Sequence, residues 1–261
     1  MDAQSLLVRL RDWFEDYVIR FSSDDPIIQE NMDLKAKHTR RVSEAILEIG
    51  ASLDLSQEDL CIAEASALLH DIGRFEQYSR YRTFSDLRSE DHAALGVKII
   101  KAKHVLEGLE PVTTDIIVRA VGCHNHAALP IGEGKRCLLF IKLLRDADKV
   151  DIWRVVTEYY QNAANNRNQT IELNLPGTER VSAPVYEALM NGKVVQMADL
   201  KTLQDFKLLQ IGWIYDVNFP RTFQMVRERR YLEKIRNALP QKDRQTAEVY
   251  EKARAYLKEN V

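Results

Sequence analysis

Apolar residues recur at a spacing near 3.6 along almost the whole chain, and the period-two alternation of half-buried strands is hard to find. Ten glycines and seven prolines are all that interrupt this pattern in 261 residues. A chain so written buries its stripes by packing helix on helix. The expected fold class is therefore all-α, with about nine or ten helices. A helical core with its N-terminal helix is expected over residues 1–160, and a C-terminal helical extension packed on it over 161–261.

Local signals set the expected boundaries. Asp25-Pro26 reads as a cap followed by proline at the first helical position, opening a helix to about Ile49. Ser56 with Asp59 opens the next, which runs to about Asp71 and stops near Gly73. Ser89-Glu90-Asp91 starts a third, with acids in its first turn where the helix dipole favours them. Further helices are expected over about Thr114–His124, Arg136–Ala163, Val181–Met190, Leu200–Tyr215, Arg221–Leu239 and Lys242–Lys258. Pro130–Gly134 and the Asn-rich stretch Asn162–Gly177 read as loops. Arg80 and Arg82, in SRYRTFSD, are expected in a loop over the site.

Composition narrows the class. A net charge of −2 argues against binding nucleic acid through a strongly basic face, so no nucleic-acid partner is expected. The three cysteines, Cys61, Cys123 and Cys137, form no CxxC pair and suit a reducing compartment better than a disulfide framework. Charges break every apolar run of the first twenty residues, and no stretch approaches the ~20 residues a membrane span needs. A cytoplasmic location without a membrane partner is the expectation; the oligomeric state is open.

Polar residues on the apolar stripes carry the functional information. His38 continues the stripe Val42, Ala45, Ile49; His70 continues Ala63 and Ala67. His92 begins the stripe of Leu95 and Ile99, and His124 ends that of Ile117 and Val121. Asp148 is in register with Ile141, Leu144, Ile152 and Val155. One inward histidine is ordinarily a hydrogen-bonded core imidazole. Four of the six histidines on core faces, with an adjacent His70-Asp71 pair at a helix end, point instead to a metal centre, because buried ionisable groups are costly unless paired or bound to an ion. The set offers nitrogen and oxygen only, which suits Mn, Fe, Co, Ni or Zn, with Mg also compatible. Six ligands exceed what one catalytic ion with an open position takes. Two ions sharing a carboxylate would use them, and Asp71, beside His70, is the best bridge.

At this point the residues resemble the HD-domain superfamily of metal-dependent phosphohydrolases. The ordered pattern His…His-Asp…Asp stands here as His38, His70-Asp71 and Asp148. The surrounding text is similar too: HTRRV at 38–42, ALLHDIGRF at 67–75, DHAALG at 91–96, HNHAALP at 124–130 and RDADKVDI at 145–152. The resemblance covers about residues 34–155 and implies a helical HD bundle. HDIG at 70–73 and His92 resemble the subgroups that use additional histidines for a second metal. Carried over, one ion takes His38, His70, Asp71 and Asp148, and the other takes Asp71, His92 and His124. Asp148 rather than Asp146 matches the final aspartate because a basic residue, Lys149, follows it directly. Where the HD-GYP subgroup has adjacent histidines, this chain has His124-Asn125-His126, which leaves His126 open as ligand, supporting group or neither. Residues 129–132 read LPIG, not GYP, so cyclic-dinucleotide hydrolysis is not implied. No synthetase motif supports alarmone turnover.

The implied chemistry is hydrolysis of a small phosphorylated substrate by a water whose pKa two ions lower from about 15.7 towards ~7. Asp71, Arg74 and Lys149 are the candidate catalytic groups. Arg74, Lys149, Arg145 and Asn125 are candidates for holding the phosphate, each with a solvated surface role as the alternative. Some HD-fold members use the same six ligands to hold two irons and activate dioxygen on a small diol or phosphonate. The ligands alone do not separate the two classes. A regulatory module with a silent site is a third possibility, against which the intact ligand set argues. His104, Trp153, Trp213 and Phe219 read as ordinary structural residues, and Cys123 shows no activating neighbour.

Overall fold

The computed structural model describes residues 3–162, 168, 170–178 and 180–261. Among them the regular structure is helical and no strand occurs. The expected end of the long helix at Ala163, and part of the Asn-rich loop, lie outside the described residues. The chain's contacts divide it into two units, Met1–Asp151 and Ile152–Val261.

The first unit contains α1 (Ala3–Ile19), α2 (Pro26–Ala51), α3 (Gln57–Leu69), α4 (Ile72–Tyr81), α5 (His92–Ala102), α6 (Pro111–Cys123) and the first part of α7 (Lys135–Asn162). Asp25 caps α2 by accepting from the Ile27 and Ile28 amides, with Pro26 behind it at N1. Ser56 caps α3 through the Asp59 amide. α3 packs against α1, α2 and α6, and every residue from Cys61 to Leu69 is buried. Its one buried acid, Glu64, is neutralised by Arg11, whose Nε lies 2.7 Å away. Phe14, Tyr17, Phe21 and Phe75 form an aromatic cluster with tilted and edge-on rings.

Several boundaries differ from expectation, and the differences shape the site. The helix expected to run through Asp71 stops at Leu69, and α4 begins at Ile72. HDIG therefore straddles a break: His70 is the C-cap of α3, and Asp71 the N-cap of α4 at φ −107°, ψ 12°. Asp71 makes no side-chain capping bond, so its carboxylate stays available to the centre. α4 continues through Arg80 to Tyr81, so the loop begins only at Arg82, whose left-handed φ of 53° ends the helix. At α5 the acids precede the helix: Asp91 is the N-cap, accepting from the Ala93 and Ala94 amides, and His92 is the first helical residue. α6 starts earlier than expected, with Pro111 at N1.

The second unit contains the rest of α7 and α8 (Ala183–Met190), α9 (Leu203–Gly212), α10 (Pro220–Glu228), α11 (Tyr231–Asn237) and α12 (Arg244–Glu259). Its core gathers Trp153, Leu189, Leu208, Ile211, Val226, Ile235 and Val249, among others. Thr202 and Asp205 form a capping box at the start of α9, and Asp205 also accepts from the Ser182 amide and hydroxyl. The single helix expected over Arg221–Leu239 is two helices, interrupted at Arg230 with φ 56°. No described helix is long and apolar enough to cross a membrane.

Candidate metal centre

Four imidazoles and two carboxylates meet in the first unit, all six on ends or faces of helices it packs together. His38 comes from α2, His70 from the end of α3, Asp71 from the start of α4, His92 from the start of α5, His124 from the end of α6 and Asp148 from α7. All four histidines and Asp71 are buried; the Asp148 side chain keeps 16% of its surface exposed.

Each histidine is held by its Nδ1. His70 donates to the Ala67 carbonyl and His124 to the Val121 carbonyl, both at 2.7 Å. A carbonyl only accepts, so Nδ1 carries the proton in both rings. His38 Nδ1 lies 2.7 Å from Asp151 Oδ2, and His92 Nδ1 lies 2.7 Å from Asp86 Oδ2. The four Nε2 atoms are thereby turned on one another: His38 and His70 at 3.3 Å, His92 and His124 at 3.0 Å.

Burial pushes the His92 and His124 imidazoles down to about 4, and also lowers His70, so all three are neutral at pH 7. The His92 and His124 lone pairs then face each other at 3.0 Å with no proton between them. Such an arrangement is repulsive unless a cation shares it. The donor set fits a divalent ion, because neutral imidazole nitrogens and ionised carboxylate oxygens are the ligand forms such ions take. His38 differs: burial and Lys35 pull it down, yet hydrogen bonds to Asp148 and Asp151 carry it up to about 9.

Asp71 divides its carboxylate between the two pairs. Its Oδ2 is 3.5 Å from His38 Nε2 and 3.6 Å from His70 Nε2. Its Oδ1 is 3.4 Å from His92 Nε2 and 3.9 Å from His124 Nε2. Asp148 Oδ1 lies 3.1 Å from His38 Nε2 and 3.7 Å from His70 Nε2. Burial would raise the Asp71 carboxyl, but Lys35, followed by the neighbouring His70, Arg74 and His92, holds it well below the usual carboxylate range. Four groupings that could hold an ion occur among the described residues: His38, His70 and Asp71; His70, His124 and Asp148; Asp71, His92 and His124; and, at the rim, Asp86, Asp91 and His92.

Residues 36–153 match the family model of the HD domain. The HD match belongs to this segment of the 261-residue chain. Searches of curated proteins and of solved structures gave no match. The HD match supports a metal-dependent hydrolase superfamily for this segment, and its buried His and Asp groups could hold metal.

The remaining sequence candidates sit around this centre with the following partners. Arg74 spends Nη1 on Gln77 Oε1, the Phe84 carbonyl and Asp86 Oδ1, and its Nε is 3.5 Å from Asp71 Oδ1. Arg145 Nη1 donates to the His124 and His126 carbonyls, clamping the backbone that presents His124. Asn125 donates to Asp91 Oδ1 at 2.9 Å and Asp86 Oδ2 at 3.4 Å. Lys149 is buried, with Nζ 3.4 Å from the Arg145 carbonyl. Asp146 is fully buried and His126 exposed, and neither belongs to a ligand grouping.

Three charged residues at the centre escaped the sequence reading. Lys35 Nζ is 2.7 Å from Asp71 Oδ2 and lies over the Phe84 ring, with 17% of its side chain exposed. Asp151 supports His38 and is itself gripped by Arg41 at both oxygens, 2.5 and 2.9 Å. Asp86 supports His92 from the loop after α4. Asp151 was findable: Arg41 follows His38 by three residues and Asp151 follows Asp148 by three, so each pair shares a helix face.

Proposed function

We propose that this HD-domain protein hydrolyses a phosphate ester of a nucleotide or small phosphorylated metabolite at a dinuclear centre. The observation that carries the reading is the division of Asp71, one oxygen to the His38–His70 pair and the other to the His92–His124 pair. One ion would take His38, His70, Asp71 and Asp148, and a second Asp71, His92 and His124. Bound there, divalent ions supply an activated water and polarise a phosphoryl oxygen.

The chain's own groups do the rest. Asp71 fixes the spacing of the two halves. The Nδ1 bonds set ring orientation before any substrate arrives, which is the part of catalysis that positioning supplies. An anionic substrate needs cations as charge develops on the phosphoryl oxygens. Lys35 is placed for this, against Asp71 and partly open to solvent, with two further N–H donors. Lys149, following Asp148, is the second candidate. Arg74 acts one step back, holding the loop at 84–86 and sharing the Asp71 oxygen.

The test is metal analysis of protein purified without chelators, with a dioxygen-uptake assay and a panel of nucleotides and sugar phosphates assayed with added Mn. Phosphate release with metal bound is expected. Stoichiometric iron with substrate-dependent oxygen uptake would replace the hydrolase reading with that of a diiron oxygenase acting on a small diol or phosphonate.

A further inference from the structure

The two halves of the centre are built on one plan. Each has one histidine tied to the backbone carbonyl three residues earlier, His70 to Ala67 and His124 to Val121. Each has another tied to a carboxylate that an arginine grips: His38–Asp151–Arg41 and His92–Asp86–Arg74. The carboxylates themselves differ sharply in setting.

Asp151 lies within α7, with 2% of its side chain exposed. Asp86 lies in the loop between α4 and α5, opening a short 3-10 turn, Asp86–Arg88, that buries none of its residues. Its side chain is 31% exposed, and Leu87 beside it is 73% exposed. The turn is held by polar contacts. Gln77 Nε2 reaches Asp86 Oδ1, Ser89 Oγ and the Glu90 carbonyl at 2.8–2.9 Å, and Arg74 Nη1 reaches the Phe84 carbonyl and Asp86. Segments with few buried apolar contacts open at lower free energy than core helices. When this loop lifts, His92 loses the acceptor that fixes its proton on Nδ1 and its lone pair on Nε2. No comparable opening frees His38, because Asp151 leaves only if α7 unravels.

We infer that Asp86 is the positioning residue of the His92–His124 half, and that this half holds its ion more weakly and exchanges it faster than the His38–His70 half. The inference rests on the dinuclear reading above and adds an order of affinity to it. Supporting carboxylates of this kind typically contribute about 10–100-fold to metal affinity.

The experiment titrates Mn²⁺ into the full chain after chelator treatment, by calorimetry, with metal content measured after dialysis. The unsubstituted chain is expected to bind in two unequal steps. Asp86→Ala is expected to weaken the looser step roughly 10–100-fold and leave the tighter one unchanged. Asp86→Asn, which keeps an acceptor for the His92 Nδ1–H but removes the charge, is expected to lose less. Asp151→Asn is expected to act on the tighter step. Circular dichroism checks that helicity is retained, and Asp86→Asn keeps the test open if the alanine variant does not fold. Two equal steps, or an Asp86 variant that weakens both steps alike or neither, would overturn the inference while leaving two ions in place. A single step in the unsubstituted chain under every loading would overturn the dinuclear reading itself, and the inference with it.

Discussion

Gly73 occupies the tightest backbone approach in the centre, and substituting it separates packing from ligand chemistry. Its φ is ordinary for any residue, so the constraint is space: a Cβ there would lie 2.1 Å from the His92 carbonyl oxygen and 2.8 Å from the Gly96 amide. Both obstacles are backbone of the first turn of α5, which cannot rotate away as a side chain does. Ordinary contact begins at 3.4 Å, so in Gly73→Ala that turn must retreat by about 1.3 Å, carrying His92 with it. Overpacking against rigid backbone costs about 3 kcal/mol, the upper part of the usual range. For a protein of this size that lowers Tm by roughly 6–12 °C. A displacement near 1 Å at a reacting centre costs on the order of 100-fold in turnover.

Gly96, across the same contact, is the control. A Cβ there meets its nearest atoms at 3.6 Å, and alanine is the better helix former by up to ~1 kcal/mol. Thermal unfolding and metal content of the two variants are the assay. An unsubstituted Tm and metal content in Gly73→Ala, or equal damage in Gly96→Ala, would refute the backbone clash.

Asp71→Ala is expected to abolish metal binding in both halves and turnover with it, and near-normal metal content by elemental analysis would remove its bridging role. Lys35→Ala should retain metal but lose roughly 10²–10³-fold in kcat/KM on the phosphate ester that the substrate panel identifies, with Lys35→Arg recovering part; unchanged kinetics would end its proposed contact with substrate. For protein stripped of metal, His92 and His124 titrate near 4 when folded and near 6.5 when unfolded, so the unfolded chain takes protons first and stability falls as pH drops from about 6.5 to about 4. His38, raised to about 9, acts in the opposite sense: its contribution is complete below 6.5 and is lost as pH rises towards 9. Urea unfolding across pH 4–9 should therefore peak near 6.5, and a continuous rise to pH 9 would contradict the His38 assignment. Because His38 must shed that proton to become a ligand, metal affinity should rise with pH over the same upper range; pH-independent affinity in calorimetry would count against it.

The six residues that the structure gathers were legible because helix periodicity leaves a visible error wherever a polar group occupies an apolar stripe. His38 among Val42, Ala45 and Ile49 is such an error, and so is Asp148 between Leu144 and Ile152. Asp86 could not be found this way, since it sits in a loop that has no period. Lys35 was hidden by its neighbours: in DLKAKH it reads as one solvated lysine of two, and only the break between α3 and α4 brings Asp71 to it. Gly73 signals a stop, but the break falls earlier, at His70-Asp71, where neither residue type marks a helix end. The interruption at Arg230 was missed for the same reason. Arginine is a good helix former, and its left-handed conformation, at about 1–2 kcal/mol, is imposed by packing rather than propensity.

Two of the candidate ligands are also the places where helices end. His70 caps α3 and His124 caps α6, each closing the final turn by donating to a carbonyl that the helix itself leaves without an amide. The imidazole is locked on one edge by the polymer and offers the other edge inward. The rotational entropy of these two side chains is thus lost when the chain folds, and an arriving ion meets donors already at rest. Chelation and reloading should then leave the far-ultraviolet spectrum unchanged, in contrast to small zinc modules whose helices form only around their metal. The same economy makes each ligand a dual-purpose residue: replacing His70 or His124 removes a donor and unstitches a helix terminus at once.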